Sequence, residues 1–177
     1  IASTPDEHHL DFTIKMIGEF TTAMFELEVG DSFKITSPRD SKLSIKEAPS
    51  KPIVFIAGGS GIPPIYPIIK SFASQSDIDL LYSNRTEADI IFKKQLQRLA
   101  QENDSLNLQF FVTHQNDTEF TAKRIDKNDL ENVHEENAHW YICGPPGMTR
   151  GVKEQLLELG VSEERIHKEM WELPGKK

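Results

Sequence analysis

The chain has 177 residues, 37% of them hydrophobic and 27% charged, with a formal net charge of −8; this suits one large globular domain, or one domain with part of another. The acidic balance, without a lysine–arginine cluster, argues against a nucleic-acid partner, and the single cysteine, Cys143, excludes an internal disulfide, a cysteine-rich zinc site and a four-cysteine iron–sulfur centre. No apolar run approaches the roughly 20 residues of a membrane helix and no signal peptide is visible, so the chain reads as cytoplasmic, and it opens on Ile1-Ala2-Ser3 without a methionine, as a fragment or processed product would.

Residues 1–50 read as a strand-rich piece too small to hold a core of its own. His8 and His9 would point to opposite faces of a strand, so they read as solvated side chains and not as a metal pair. Leu10 to Ile17 alternates apolar and polar residues and predicts a strand, broken at Gly18. Thr21 or Thr22 is placed to cap a short helix through Met24, Phe25 and Leu27. Gly30-Asp31 predicts a turn, Ser32 to Thr36 a second strand, and Ser37-Pro38-Arg39-Asp40 a further turn. The boundary falls in the proline-rich stretch Ala48-Pro49-Ser50-Lys51-Pro52, which divides the chain into residues 1–50 and 51–177.

Beyond that boundary strands and helices alternate. The predicted strands are Ile53–Ala57, Ile78–Ser83, Leu106–Thr113, Trp140–Cys143 and Ile166–Met170. The predicted helices are Pro63–Ala73, Glu87–Glu102, Asp126–Val133 and Met148–Leu159. This alternation implies an α/β fold, a doubly wound parallel five-stranded sheet.

Chemistry concentrates at three strand ends. Gly58-Gly59-Ser60-Gly61-Ile62-Pro63-Pro64 follows the first strand. Glycines let backbone N–H groups approach an anion, and a helix start adds partial positive charge. The pattern is neither the dinucleotide Gly-x-Gly-x-x-Gly nor a Walker loop, and a plain strand-to-helix turn remains open at this point. Cys143-Gly144-Pro145-Pro146-Gly147-Met148 repeats the logic after the fourth strand. Ligands of open α/β sheets bind outside the carboxyl ends of the strands, so two such loops suit one extended ligand. After the second strand, Thr86 and Asp89 form a capping-box variant, and Arg85 stands at the same edge, suited to phosphate or to stacking on adenosine.

In order and spacing, Ala57 to Pro64, Tyr82-Ser83-Asn84-Arg85-Thr86 and Tyr141 to Met148 resemble the nucleotide domain of the ferredoxin–NADP reductase superfamily. Arg165 to Trp171 is similar to that family's last strand and carboxyl end. The resemblance extends upstream. Ile1 to Pro5 looks like the end of its Arg-x-Tyr-Ser/Thr-x-Ala-Ser flavin motif, and Gly18-Glu19-Phe20-Thr21 resembles its Gly-x-x-Ser/Thr motif. Val29-Gly30-Asp31 and Ser37-Pro38 match its Gly-Asp…Gly-Pro strand pair, with Ser37 in place of glycine. On this resemblance residues 1–50 are part of an antiparallel flavin-binding β-barrel, whose arginine and tyrosine would precede Ile1, and residues 51–177 are an NAD(P)H-binding domain.

The resemblance also implies roles. Gly59, Ser60 and Gly61 would line the pyrophosphate and nicotinamide ribose. Cys143, Gly144 and Pro145 would flank the nicotinamide, Glu169 would lie near the flavin's reactive edge and Trp171 would cover its ring. Ser3, Thr4 and Thr21 would touch the flavin, FAD more often than FMN in this family. NADP-using members often carry Ser-Arg after the third strand; Thr113-His114-Gln115 stands there, which favours NADH over NADPH, with Arg85 and Arg124 able to compensate. The implied function is hydride transfer from NAD(P)H to flavin, with electrons passed to a separate acceptor. The alternatives are a non-catalytic NAD(P)H-binding module, sensing nucleotide or docking on a flavin-bearing partner, and an unrelated phosphate-binding α/β protein.

Overall fold

Ile53-Val54-Phe55-Ile56-Ala57-Gly58 forms strand β1 (Ile53–Gly58), and every residue of it is buried. A continuous apolar run of this kind is the signature of a strand covered on both faces. The computed structural model describes residues 1–37, 41–45 and 49–170. Four more strands follow: β2 (Ile78–Asn84), β3 (Leu106–Val112), β4 (His139–Gly144) and β5 (Ile166–Met170). All pair in parallel, in the order β3-β2-β1-β4-β5. The doubly wound sheet read from the sequence is thus the fold.

Helices α2 (Tyr66–Phe72) and α3 (Lys93–Glu102) cover one face, over a core that includes Phe55, Ile65, Ile69, Leu80, Tyr82 and Leu96. Helices α4 (Lys127–Asn132) and α5 (Pro146–Glu158) cover the other, over Val54, Ile56, Leu130, Trp140, Val152 and Leu156. Alternate residues of β1 go to opposite cores, as the period of two requires. Each such fully buried aliphatic side chain contributes about 1.5–3 kcal/mol.

Several boundaries differ from expectation. Pro63 and Pro64 lie in turns ahead of α2, not in its first turn; a short 3-10 segment, Gly59–Gly61, and the bonds from Ile65 N and Tyr66 N to the Ile62 carbonyl carry the chain to Tyr66. The long helix predicted over Glu87–Glu102 is split into a 3-10 turn, Glu87–Asp89, and α3, because Phe92 takes a left-handed backbone with φ of 60°. α5 begins two residues earlier than predicted, at Pro146, where proline's missing N–H costs nothing.

The largest differences fall in the first fifty residues. Neither Leu10–Ile17 nor Ser32–Thr36 is a strand; among the described residues there the regular element is α1 (Glu19–Phe25). A strand is a paired state, and these alternating segments meet no ladder partner among the described residues. Most of their apolar side chains stay exposed: Leu10, Phe12, Met16, Ile17, Phe33 and Ile35. The predicted cap is also shifted: Gly18 is the N-cap, and Thr21 accepts hydrogen bonds from Ile17 N at 2.9 Å and Gly18 N at 3.0 Å. Gly30 turns as expected, with φ of +106°.

Candidate functional site

From β1 the chain moves outward to β2 and β3, then returns to place β4 on β1's other side. The strand order therefore reverses between β1 and β4, and the crevice at their carboxyl ends is where open α/β sheets take ligands. Both glycine turns emerge there.

The two turns interlock. A Cβ on Gly61 would fall on the Cys143 carbonyl and within 2.9 Å of Gly144 N. A Cβ on Gly144 would lie 3.1 Å from the Gly58 backbone, and one on Gly58 would lie 2.6 Å from Met148 Sδ. Glycine at 61, and less tightly at 144, is required for close approach of two backbones, whereas a side chain at 58 would press on the side chains of Met148 and Pro145. Gly59 differs: its φ is +51° and no atom lies within 4 Å of where its Cβ would be. It leaves open space on the outer side of the turn, beside exposed Ser60. Thr149 Oγ1 and N donate to Pro146 O and Pro145 O, at 3.1 and 3.0 Å, and so close the first turn of α5.

Tyr82 braces this arrangement from below. It is fully buried, its hydroxyl donates to the Gly59 carbonyl at 2.9 Å, and it accepts from Ile91 N at 3.3 Å. Burial pushes its ionisation well above the tyrosine range. Asn84, two residues on, is 5% exposed. Its amide lies by the Tyr82 hydroxyl, yet neither of its polar atoms makes a well-formed hydrogen bond. A buried orphan amide at a ligand edge fits a site that takes a polar group. The backbone carbonyls of Asn84 and Arg85 accept from Thr113 N at 3.0 and 3.2 Å, which stitches the ends of β2 and β3 together. Thr86 and Asp89 form the predicted box, Thr86 Oγ1 donating to Asp89 Oδ2 at 2.7 Å.

The candidate residues divide by place. Gly59, Ser60, Gly61, Gly144 and Pro145 meet at the crevice, and Arg85 is exposed at the end of β2. Cys143 and Glu169 are register partners on β4 and β5, so the candidate catalytic pair lies side by side. Cys143 is buried within the core under α2 and α3, and Glu169 accepts a hydrogen bond from Ser41 Oγ. Ser3 and Thr4 are buried too, and their oxygens are engaged: Ser3 Oγ accepts from Asp11 N at 3.1 Å, and Thr4 Oγ1 donates to Glu7 Oε2 at 2.8 Å. Thr21 Oγ1 is spent on the start of α1. Trp171 lies outside the described residues. His9 is exposed beside Asp11 at 3.4 Å.

Sequence reasoning placed Tyr82, Asn84 and Met148 in the motifs of this region without giving them roles, and it missed Ser41 altogether. For Tyr82 a signal existed: a tyrosine inside a buried strand must find a partner for its hydroxyl. For Ser41 none did, since its partner is 128 residues away.

A family profile, the oxidoreductase NAD-binding domain, matches residues 55–154. NADH-cytochrome b5 reductase 2 of Mycosarcoma maydis is 28% identical over 201 residues, covering 95% of this chain and 55% of that protein. NADH-cytochrome b5 reductase 1 of Dictyostelium discoideum is 26% identical over 177 residues, covering 94% of this chain and 61% of that protein. The chain thus spans little more than half the length of such curated relatives. Among solved structures, the flavohemoglobin of Malassezia yamatoensis with bound FAD and heme superposes with a TM-score of 0.72 at 23% identity, over 91% of this chain and 43% of that one. The CS-b5R domains of human Ncb5or in the NAD+ form give a TM-score of 0.70 at 24% identity, over 89% and 47%. With the profile matching more than half of it, and with a switch-point crevice lined by paired glycine turns, the chain belongs to the oxidoreductase NAD-binding domain family, as its resemblance to the ferredoxin–NADP reductase superfamily implied.

Proposed function

We propose that this chain binds NADH in the crevice between β1 and β4 and takes part in passing its hydride to a flavin, FAD, with electrons going on to a separate acceptor. The observation that carries the reading is the interlock of the two glycine turns at the point where strand order reverses. Gly59, with its outward-facing open backbone, and Ser60 and Gly61 would hold the pyrophosphate; the start of α5 adds favourable charge. Gly144 and Pro145 would flank the nicotinamide, with Cys143 and Glu169 beneath and beside it. Arg85 would meet the adenosine end. NADH is preferred to NADPH because Thr113-His114-Gln115 offers no guanidinium for the 2′-phosphate that distinguishes NADPH, and because the curated relatives carry NADH in their names. Those names also favour an electron carrier of the cytochrome b5 kind as acceptor.

When bound, the flavin supplies the redox chemistry, taking two electrons together and releasing them singly. This chain's residues supply position: a nicotinamide held against rigid backbone, away from water, is oriented for transfer. A titration of the labelled chain with NADH tests the reading. The amide resonances of Gly59, Gly61 and Gly144 should move, and move less with NADPH; resonances that stay put overturn it. Cys143→Ser should lower the hydride-transfer rate by about tenfold or more with little change in NADH affinity, because the glycine backbone proposed to hold the nucleotide is left in place.

A second reading has one observation in its favour. The hydroxyls of Ser3, Thr4 and Thr21 are all engaged within the chain, as suits a nucleotide-binding module that docks on a flavin-bearing partner. A purified chain that is colourless yet binds NADH by calorimetry supports this reading, and a yellow one the first.

A further inference from the structure

We infer that Ser41 is a positioning residue for Glu169, holding its carboxylate on the β5 side of Cys143, where the second glycine turn begins; the inference rests on the functional reading above.

The geometry is specific. Ser41 Oγ donates to Glu169 Oε2 and accepts from Leu43 N at 3.0 Å. The single hydroxyl proton is committed to the carboxylate, and the backbone of the same loop fixes the oxygen that carries it. The loop is fixed in turn by Leu43, which is 2% exposed and belongs to the core under α2 and α3. A hydroxyl anchored by a buried leucine two residues away is pre-aimed, so little entropy is lost in aiming it. On the acceptor side, Glu169 is the β5 register partner of Cys143, and Cys143 is the β4 partner of Ala57. The Cys143 carbonyl is what a side chain on Gly61 would strike. Hydrogen bonds from Leu43 through Ser41 to Glu169, and then strand register from Glu169 to Cys143, connect this loop to the glycine turn.

Hydrogen bonds to an ionised group are stronger than neutral ones. Without this one, a half-buried carboxylate at the end of an edge strand swings toward water and leaves Cys143's side. The role is positional, because Ser41 acts through Glu169.

The test uses the full chain supplied with excess FAD, NADH and ferricyanide. In S41A the side-chain carboxyl 13C resonance of Glu169 should shift, kcat should fall about tenfold, and NADH affinity by calorimetry should stay within about twofold. S41T, which keeps the hydroxyl, should return both the resonance and kcat toward the parent values. An S41A chain with unchanged resonance and unchanged kcat overturns the inference. So does one that loses kcat and NADH affinity together without rescue by threonine, since that is the mark of a damaged loop. If the parent chain itself fails to bind NADH, the functional reading fails and takes this inference with it; if the parent binds and turns over while S41A behaves like it, only the inference is lost.

Discussion

Tyr82 shows how one buried polar atom can govern a loop it does not belong to. Its hydroxyl joins the Gly59 carbonyl to Ile91 N, so the glycine turn and the segment before α3 share one anchor. Tyr82→Phe keeps the ring but removes both bonds. It should cost about 1 kcal/mol of stability and weaken NADH binding about fivefold, measured by thermal unfolding and calorimetry. Gly61→Ala acts by contact: its Cβ would strike the Cys143 carbonyl. The turns must then separate, at a cost of about 1–3 kcal/mol, and NADH binding should be lost while the sheet persists in circular dichroism. A Gly61→Ala chain that binds as the parent does would show that the two turns need not touch. The need for glycine at position 61 was legible in the sequence, but the atoms that enforce it were not.

At the scale of elements, two contacts tie segments together and both titrate. The edge strand β5 is joined to β4 by an imidazole pair, His139 Nδ1 and His167 Nε2 at 3.2 Å, with near-parallel rings, and His167 stacks on Tyr141. Burial holds both histidines below their ordinary value of 6.5, for His139 with help from Lys51 and Arg165, and for His167 from His139. Depressed histidine pKa values mean that the unfolded chain takes up protons first. This stability is therefore whole above about pH 6.5 and is lost as pH falls through the folded values. The unfolding midpoint should drop between pH 7 and pH 5, and His167→Phe should flatten that slope. The second tie is Glu7, which accepts from Lys70 Nζ at 2.8 Å and from Thr4 N at 2.6 Å, and whose carboxyl is lowered to about 2. Its contribution is present above the ordinary carboxylate range and disappears as pH falls toward 2. Glu7→Gln should speed hydrogen exchange at Thr4 while leaving β1 protected; equal rates would show that Lys70 does not hold this segment. The sheet and its helices were readable because their periodicities are local. The split before α3 was not, since a left-handed Phe92 has no signature of its own.

Across the whole molecule, burial is uneven. Residues 53–57 are fully enclosed, whereas Leu10, Phe12, Met16, Ile17, Phe20, Phe25, Val29, Phe33 and Ile35 stand in solvent. Limited proteolysis should cut first within residues 10–37 and leave a resistant fragment that contains β1 to β5; early cuts inside the sheet would contradict that ordering of stability. The amino-acid sequence alone determined the parts of this protein set by short-range physics: five apolar strands, the helices between them, the glycine turns at their ends and the family these announce. Only the tertiary structure decided that Gly61 lies against Cys143, that Cys143 and Glu169 are neighbours, that Ser41 reaches Glu169, and that Leu10–Ile17 finds no ladder. The reason is physical: a turn or a periodic face is specified by residues a few positions apart, whereas a hydrogen-bond partner or a register exists only once distant segments have been packed together.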